Sequence, residues 1–185
     1  VAAVYITSPD YFGVLADIRS ISEVCHRYHV PLLVDNAHGS HLFLTPENLH
    51  PIHLGADITA CSAHKTLPVL TGGAFLNIAS DTYAANAKDA MALFGSTSPS
   101  YPIMASLDLC MQWAETKGKD AYLQLQKRVV DIKNIAVAKG IVMPVGQTDP
   151  VRITLQTASL GITGEEAAEI FRNHFVEPEY ADNST

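Results

Sequence analysis

Apolar positions in the early part of the chain come in short β-branched runs, and further on mostly at helical spacing. Val1-Ala2-Ala3-Val4-Tyr5-Ile6 reads as a buried strand. Ile18, Ile21, Val24, Cys25 and Tyr28 then recur at the period of an amphipathic helix, before Leu32-Leu33-Val34 resumes a strand. Strand, helix and strand in that order predict a βαβ unit and hence parallel pairing. Ile58 to Cys61 and Ala74 to Ile78 add short strands, while Asp81 to Leu93, Tyr101 to Lys117 and Asp120 to Lys139 are predicted helices. A Gly- and Pro-containing break follows at Gly140 to Pro150; beyond it Val151 to Leu155 reads as a strand and Gly164 to Phe175 as a helix. Thr163 with Glu166 three positions on is a capping-box signature for that last helix. The expected class is α/β with a mostly parallel sheet, and the break predicts a domain boundary near residue 145.

Two of the apolar runs end on polar clusters instead of ordinary turns. Leu32-Leu33-Val34 stops at Asp35-Asn36-Ala37-His38-Gly39, and Ile58 to Cys61 stops at Ser62-Ala63-His64-Lys65-Thr66. Ligands of open parallel sheets bind beyond the carboxyl ends of the strands, so a carboxylate ending one strand and a lysine following another can meet at one cofactor. A Schiff-base lysine and an acid at a pyridinium nitrogen are the partners that pyridoxal phosphate requires.

Composition bounds the partners. The 185 residues are 48% hydrophobic with a formal charge of -7, which argues against a nucleic-acid surface because that needs clustered Lys and Arg. No apolar run approaches the ~18 residues of a membrane span, and no signal peptide is recognisable. Cys25, Cys61 and Cys110, odd in number and in apolar surroundings, read as reduced core residues of a cytoplasmic protein. The chain opens directly on an apolar strand, without an initiator Met, and is expected to be a piece of a longer protein.

Several motifs occurring in order carry a resemblance. Thr7-Ser8-Pro9-Asp10-Tyr11-Phe12-Gly13, Val34 to His41, Ser62 to Pro68, Leu70-Thr71-Gly72-Gly73-Ala74 and Ser96 to Tyr101 together resemble the Orn/Lys/Arg decarboxylase family, of the aspartate-aminotransferase-like fold. Ile162 to Glu166 and Glu177-Pro178-Glu179 resemble that family's segment entering the small domain. Asn36 stands where the family usually has Glu, and Gly72 where Gln is frequent, which bears on substrate specificity. The resemblance implies the C-terminal part of a three-layer large domain over 1–145, the start of a small domain over 146–185, and a homodimer or higher homo-oligomer. It implies pyridoxal 5'-phosphate as cofactor and a small basic amino acid as substrate, with an upstream half supplying the phosphate loop and a ring-stacking residue.

The same resemblance assigns Lys65 as the Schiff-base lysine, Asp35 as the partner of the ring nitrogen and His38 as the neighbour of the phenolic oxygen. Ser62 and His64 are expected near the phosphate, as are Thr97 and Ser98 from the loop that reaches a partner subunit. Arg152 could clamp an α-carboxylate, but a solvated or structural role is the expectation. An aminotransferase or lyase of the same fold, or a catalytically silent segment, fits the same residues. A metal-dependent hydrolase built on Asp35, His38, His41, Asp57 and His64 is the alternative from another class.

Overall fold

A computed structural model of the chain describes residues 1–95, 98–183 and 185. Four short strands form one sheet in the order β1 (Val4–Thr7), β2 (Leu32–Asp35), β3 (Ile58–Cys61) and β4 (Phe75–Ile78). The first three are parallel and β4 is antiparallel to β3. Helix α1 (Ile18–Arg27) connects β1 to β2, completing the predicted βαβ unit. Asp17 caps it, accepting a hydrogen bond from Ser20 N at 3.1 Å. Ile18 and Cys25 of α1 pack with Leu32, Val34 and Ala56, while Val4 and Ile6 flank them. Leu32 and Val34 are alternate residues of β2, so the pleat turns both toward this cluster.

The second core cluster joins the later helices to the strand ends. It contains Leu44, Ala63, Leu67, Cys110, Ala114 and Tyr122, with Phe43, Phe75, Trp113 and Val151 packed against it. Ala63 belongs to α2 (Ala63–Thr66), a single turn directly after β3. Tyr122 donates its hydroxyl proton to the carbonyl of Thr66, which ties α2 to the long helix.

Three expectations change. The helix predicted over Asp81 to Leu93 is two short ones, α3 (Asp81–Ala84) and α4 (Ala87–Phe94). The two helices expected on either side of residue 118 run on without a break: α5 (Tyr101–Trp113) passes through a wide turn, Ala114–Gly118, into α6 (Lys119–Ala138). Gly118 is there for closeness, since a Cβ would lie 3.1 Å from a Leu44 methyl carbon. Finally, Val151 to Leu155 forms no strand. The stretch is held instead by Asp149 Oδ1, which accepts from Val151 N at 2.9 Å, and by Thr154 Oγ1, which donates to Phe12 O at 2.7 Å. Helix α7 (Gly164–Asn173) starts at the expected capping box: Glu166 N donates to Thr163 Oγ1 at 3.1 Å, and Thr163 N to Glu166 Oε2 at 2.8 Å.

Cys25, Cys61 and Cys110 are all buried and unpaired, as expected. No described helix is long and apolar enough to cross a membrane.

Candidate active site at the ends of strands β2 and β3

Asp35 closes β2 and Cys61 closes β3, so the residues that follow each strand emerge at the same edge of the sheet. The Asp35 carboxylate is oriented at both oxygens. Ala37 N donates to Oδ1 at 3.0 Å, and the Tyr5 hydroxyl, from β1, donates to Oδ2 at 3.2 Å. Lys65 is exposed on α2, and its Nζ lies 3.2 Å from Nε2 of His38. His38 is the centre of the group. Burial, the Lys65 cation and the Arg152 cation push its pKa below the ordinary histidine value, against the opposing charges of Glu179 and Asp35. Near neutral pH the ring is therefore uncharged.

Arg152 was expected to be solvated or structural, and the structural half of that expectation holds in an unforeseen place. Its Nη2 lies 3.3 Å from His38 Nδ1, and its Nη1 donates to the carbonyl of Tyr11. Tyr11 in turn sets its ring edge-on to the imidazole, with centroids 5.1 Å apart. Tyr5 and Tyr11 were missed as neighbours of the site, and Arg152, weighed as an α-carboxylate clamp, was not placed against His38. Only the Tyr11-Phe12-Gly13 motif offered a signal, and it did not say which residue would fold back onto it. Tyr11 and Arg152 also line an apolar cavity of about 480 Å³ bounded by Phe171, Val176 and Tyr180.

Ser62 is the N-cap residue of α2, half-buried, and its side chain caps no backbone N–H. His64 turns to the neighbouring loop: its Nδ1 lies 2.9 Å from Gly73 O, so Nδ1 carries the proton and Nε2 is the free ring position. Ser98 lies exposed ahead of α5, and Thr97 falls outside the described residues. Asn36, where the resembling family usually has Glu, is wholly buried. Its amide donates to Gly39 O at 3.1 Å and to Cys61 Sγ at 3.2 Å, two bonds that a carboxylate could not make.

The metal alternative fails on geometry. Asp57 is occupied by His26 Nε2 at 2.9 Å and Leu32 N at 2.8 Å, and His41 pairs with Asp149 instead of with Asp35 or His64. Among the described residues, no group of three or more His, Cys, Asp or Glu side chains is placed to hold a metal ion.

The family description "Orn/Lys/Arg decarboxylase, major domain" matches residues 1–144, and the chain belongs to that family. It is 35% identical over 189 residues to the uncharacterized protein YaaO of Bacillus subtilis, and 33% identical over 190 residues to an arginine decarboxylase of Halalkalibacterium halodurans. Those alignments take in 97% and 96% of this chain but 39% of each relative, so the chain spans about two fifths of the curated proteins it matches. Among solved structures, the constitutive lysine decarboxylase of E. coli superposes with a TM-score of 0.74 at 19% identity, over 99% of this chain and 33% of that one. The Francisella novicida lysine decarboxylase LdcF gives 0.73 at 17% identity, over 97% and 32%. The fold is thus that of the lysine decarboxylases.

Proposed function

We propose that this protein takes part in pyridoxal-phosphate-dependent decarboxylation of a basic amino acid, with Lys65 as the attachment point of the cofactor. The observation that carries the reading is the approach of Lys65 Nζ, just after β3, to within 3.2 Å of His38 Nε2, in the loop that Asp35 opens at the end of the adjoining strand. The family match and the arginine decarboxylases among the relatives favour ornithine, lysine or arginine over other amino acids.

The residues present fit this cofactor. There is a primary amine on an exposed side chain, a neutral imidazole beside that amine, a carboxylate with both oxygens already oriented, and an uncapped hydroxyl at Ser62. Pyridoxal phosphate, when bound, supplies an aldehyde that captures amines and a ring that stores the electron pair left as carbon dioxide departs. The chain supplies the placement. Lys65 offers the amine and returns at the end to release the product. Asp35, opposite a ring nitrogen, favours the protonated form of that nitrogen by charge. Ser62 offers a hydroxyl donor for a phosphate with His64 beside it, and Thr97 and Ser98 belong to the same reading as contacts to a second subunit. A homodimer, a cytoplasmic setting, and a division into the last part of a large domain (1–145) and the start of a small one (146–185) complete the proposal.

Incubating the full-length protein with pyridoxal phosphate and each of ornithine, lysine and arginine tests it. Stoichiometric release of carbon dioxide and the matching amine is expected from one of the three. Amino-group transfer to a 2-oxo acid without carbon dioxide would move the assignment to an aminotransferase of the same fold.

A further inference from the structure

The guanidinium of Arg152 reaches His38 across 114 positions of sequence, along a path shaped for it. Gly13 has φ +84°, and a Cβ there would lie 2.7 Å from Arg152 Cδ, so the bare glycine lets the arginine stem pass. Nη1 is anchored on the Tyr11 carbonyl, and the Asp149 carboxylate is close enough to feel the guanidinium charge. With the stem and one nitrogen fixed, Nη2 is left facing His38 Nδ1 at 3.3 Å. The other ring nitrogen, Nε2, faces Lys65 Nζ at 3.2 Å.

A neutral imidazole has one N–H and one in-plane lone pair, whereas a guanidinium keeps all of its protons. The nitrogen facing Arg152 must then be the lone-pair nitrogen. The ring proton falls on Nε2, aimed at Lys65. An ammonium at Lys65 acting alone would impose the reverse, with Nε2 accepting and the proton on Nδ1. Two donors face one lone pair, and it goes to Arg152, whose stem and Nη1 are fixed, while Lys65 is exposed.

We infer that Arg152 is a positioning residue of this site: it fixes His38 as the Nε2–H tautomer and so presents a hydrogen-bond donor to the nitrogen of Lys65. The catalytic meaning of this arrangement rests on the reading of Lys65 given above; its geometry does not. An Nε2–H donor can pair with Nζ only in the form that has a lone pair, the form in which an amine attacks a carbonyl. The ring of Tyr11 packs edge-on against the imidazole.

The tautomer is read directly by 15N NMR of the cofactor-free, full-length protein with labelled histidine rings, at about pH 7.5, where an unshifted histidine is mostly neutral. The His38 resonances are assigned by their loss in His38→Gln. The expected pattern is a lone-pair-type Nδ1 and a protonated Nε2, unchanged in Lys65→Met and inverted in Arg152→Met. That inversion separates the effect of Arg152 from any intrinsic preference of the ring. A protonated Nδ1 in the unmutated protein overturns the inference, whether or not the variants fold; so does an Arg152→Met protein that keeps the original pattern. Because no cofactor is present, failure of the decarboxylase reading leaves this result standing, and mapping of cofactor attachment tests that reading separately.

Discussion

His41 and Asp149, 108 positions apart, form a pair in which Nε2 lies 3.1 Å from Oδ1 and each residue is only 1% exposed. The pair fastens the segment carrying Arg152 to the loop that follows β2. Tyr122 of α6 stacks on the His41 ring, with centroids 5.3 Å apart. On the other side, Asp149 N donates to Gly13 O at 2.7 Å.

Asp149→Ala should therefore destabilise the protein by about 3 kcal/mol, since it leaves the buried His41 N–H and the half-buried Val151 N–H without an acceptor. Burial alone would raise the Asp149 pKa, but the hydrogen bond and charge of His41, the Val151 N–H and Arg152 together hold it below the usual carboxylate value. The native state thus binds this proton less readily than the unfolded chain. The carboxylate's contribution is complete above the ordinary Asp pKa and is lost as pH falls through the depressed one. Urea unfolding of the protein and the variant at neutral pH checks the loss; equal midpoints would contradict it.

A second acid-sensitive group lies elsewhere in the core. Burial lowers the His50 pKa from 6.5 to about 4. Its Nδ1 accepts from Ile52 N at 3.3 Å, which leaves the proton on Nε2, 3.4 Å from Cys61 Sγ. Here the unfolded chain takes up the proton first, so stability falls as pH drops from 6.5 toward 4. The full difference is about 3 kcal/mol, at 1.36 kcal/mol per pKa unit. In His50→Gln that part of the acid limb should disappear. Superimposable stability–pH curves for the two proteins between pH 4 and 6.5 would refute it.

Asp35→Asn tests charge against shape. The amide oxygen can still accept from Ala37 N, so the loop should keep its form and some cofactor binding should survive. Decarboxylation by the loaded protein should fall by about a hundredfold or more, because the missing charge matters most as electron density moves onto the ring. Turnover near that of the unmutated protein would remove Asp35 from its role.

Local signals carried most of what could be foreseen. The capping box at Thr163 and Glu166 acts within one helical turn, and the polar residues after β2 and β3 follow directly on their strands, so both were visible as short patterns. Contacts between distant parts of the chain were not. Val151 to Leu155 has the composition of a strand, yet among the described residues no strand pairs with it, and Asp149 and Phe12 hold it instead. Arg152 lies in that misread stretch, so its approach to His38 depended on a fold-back that no periodicity encodes. The unbroken run of α5 into α6 was hidden for a similar reason: Gly118, between the two predicted helices, lies against Leu44, which is far away in sequence.

The central claim is that Lys65 is the cofactor lysine, and borohydride reduction tests it most directly. The full-length protein, loaded with pyridoxal phosphate, is reduced and digested, and its peptides are mapped by mass spectrometry. The account predicts one pyridoxyl group per chain on the ε-nitrogen of Lys65, with none incorporated at that position in Lys65→Met. A stoichiometric adduct on any other lysine, or no saturable incorporation at all, would contradict it.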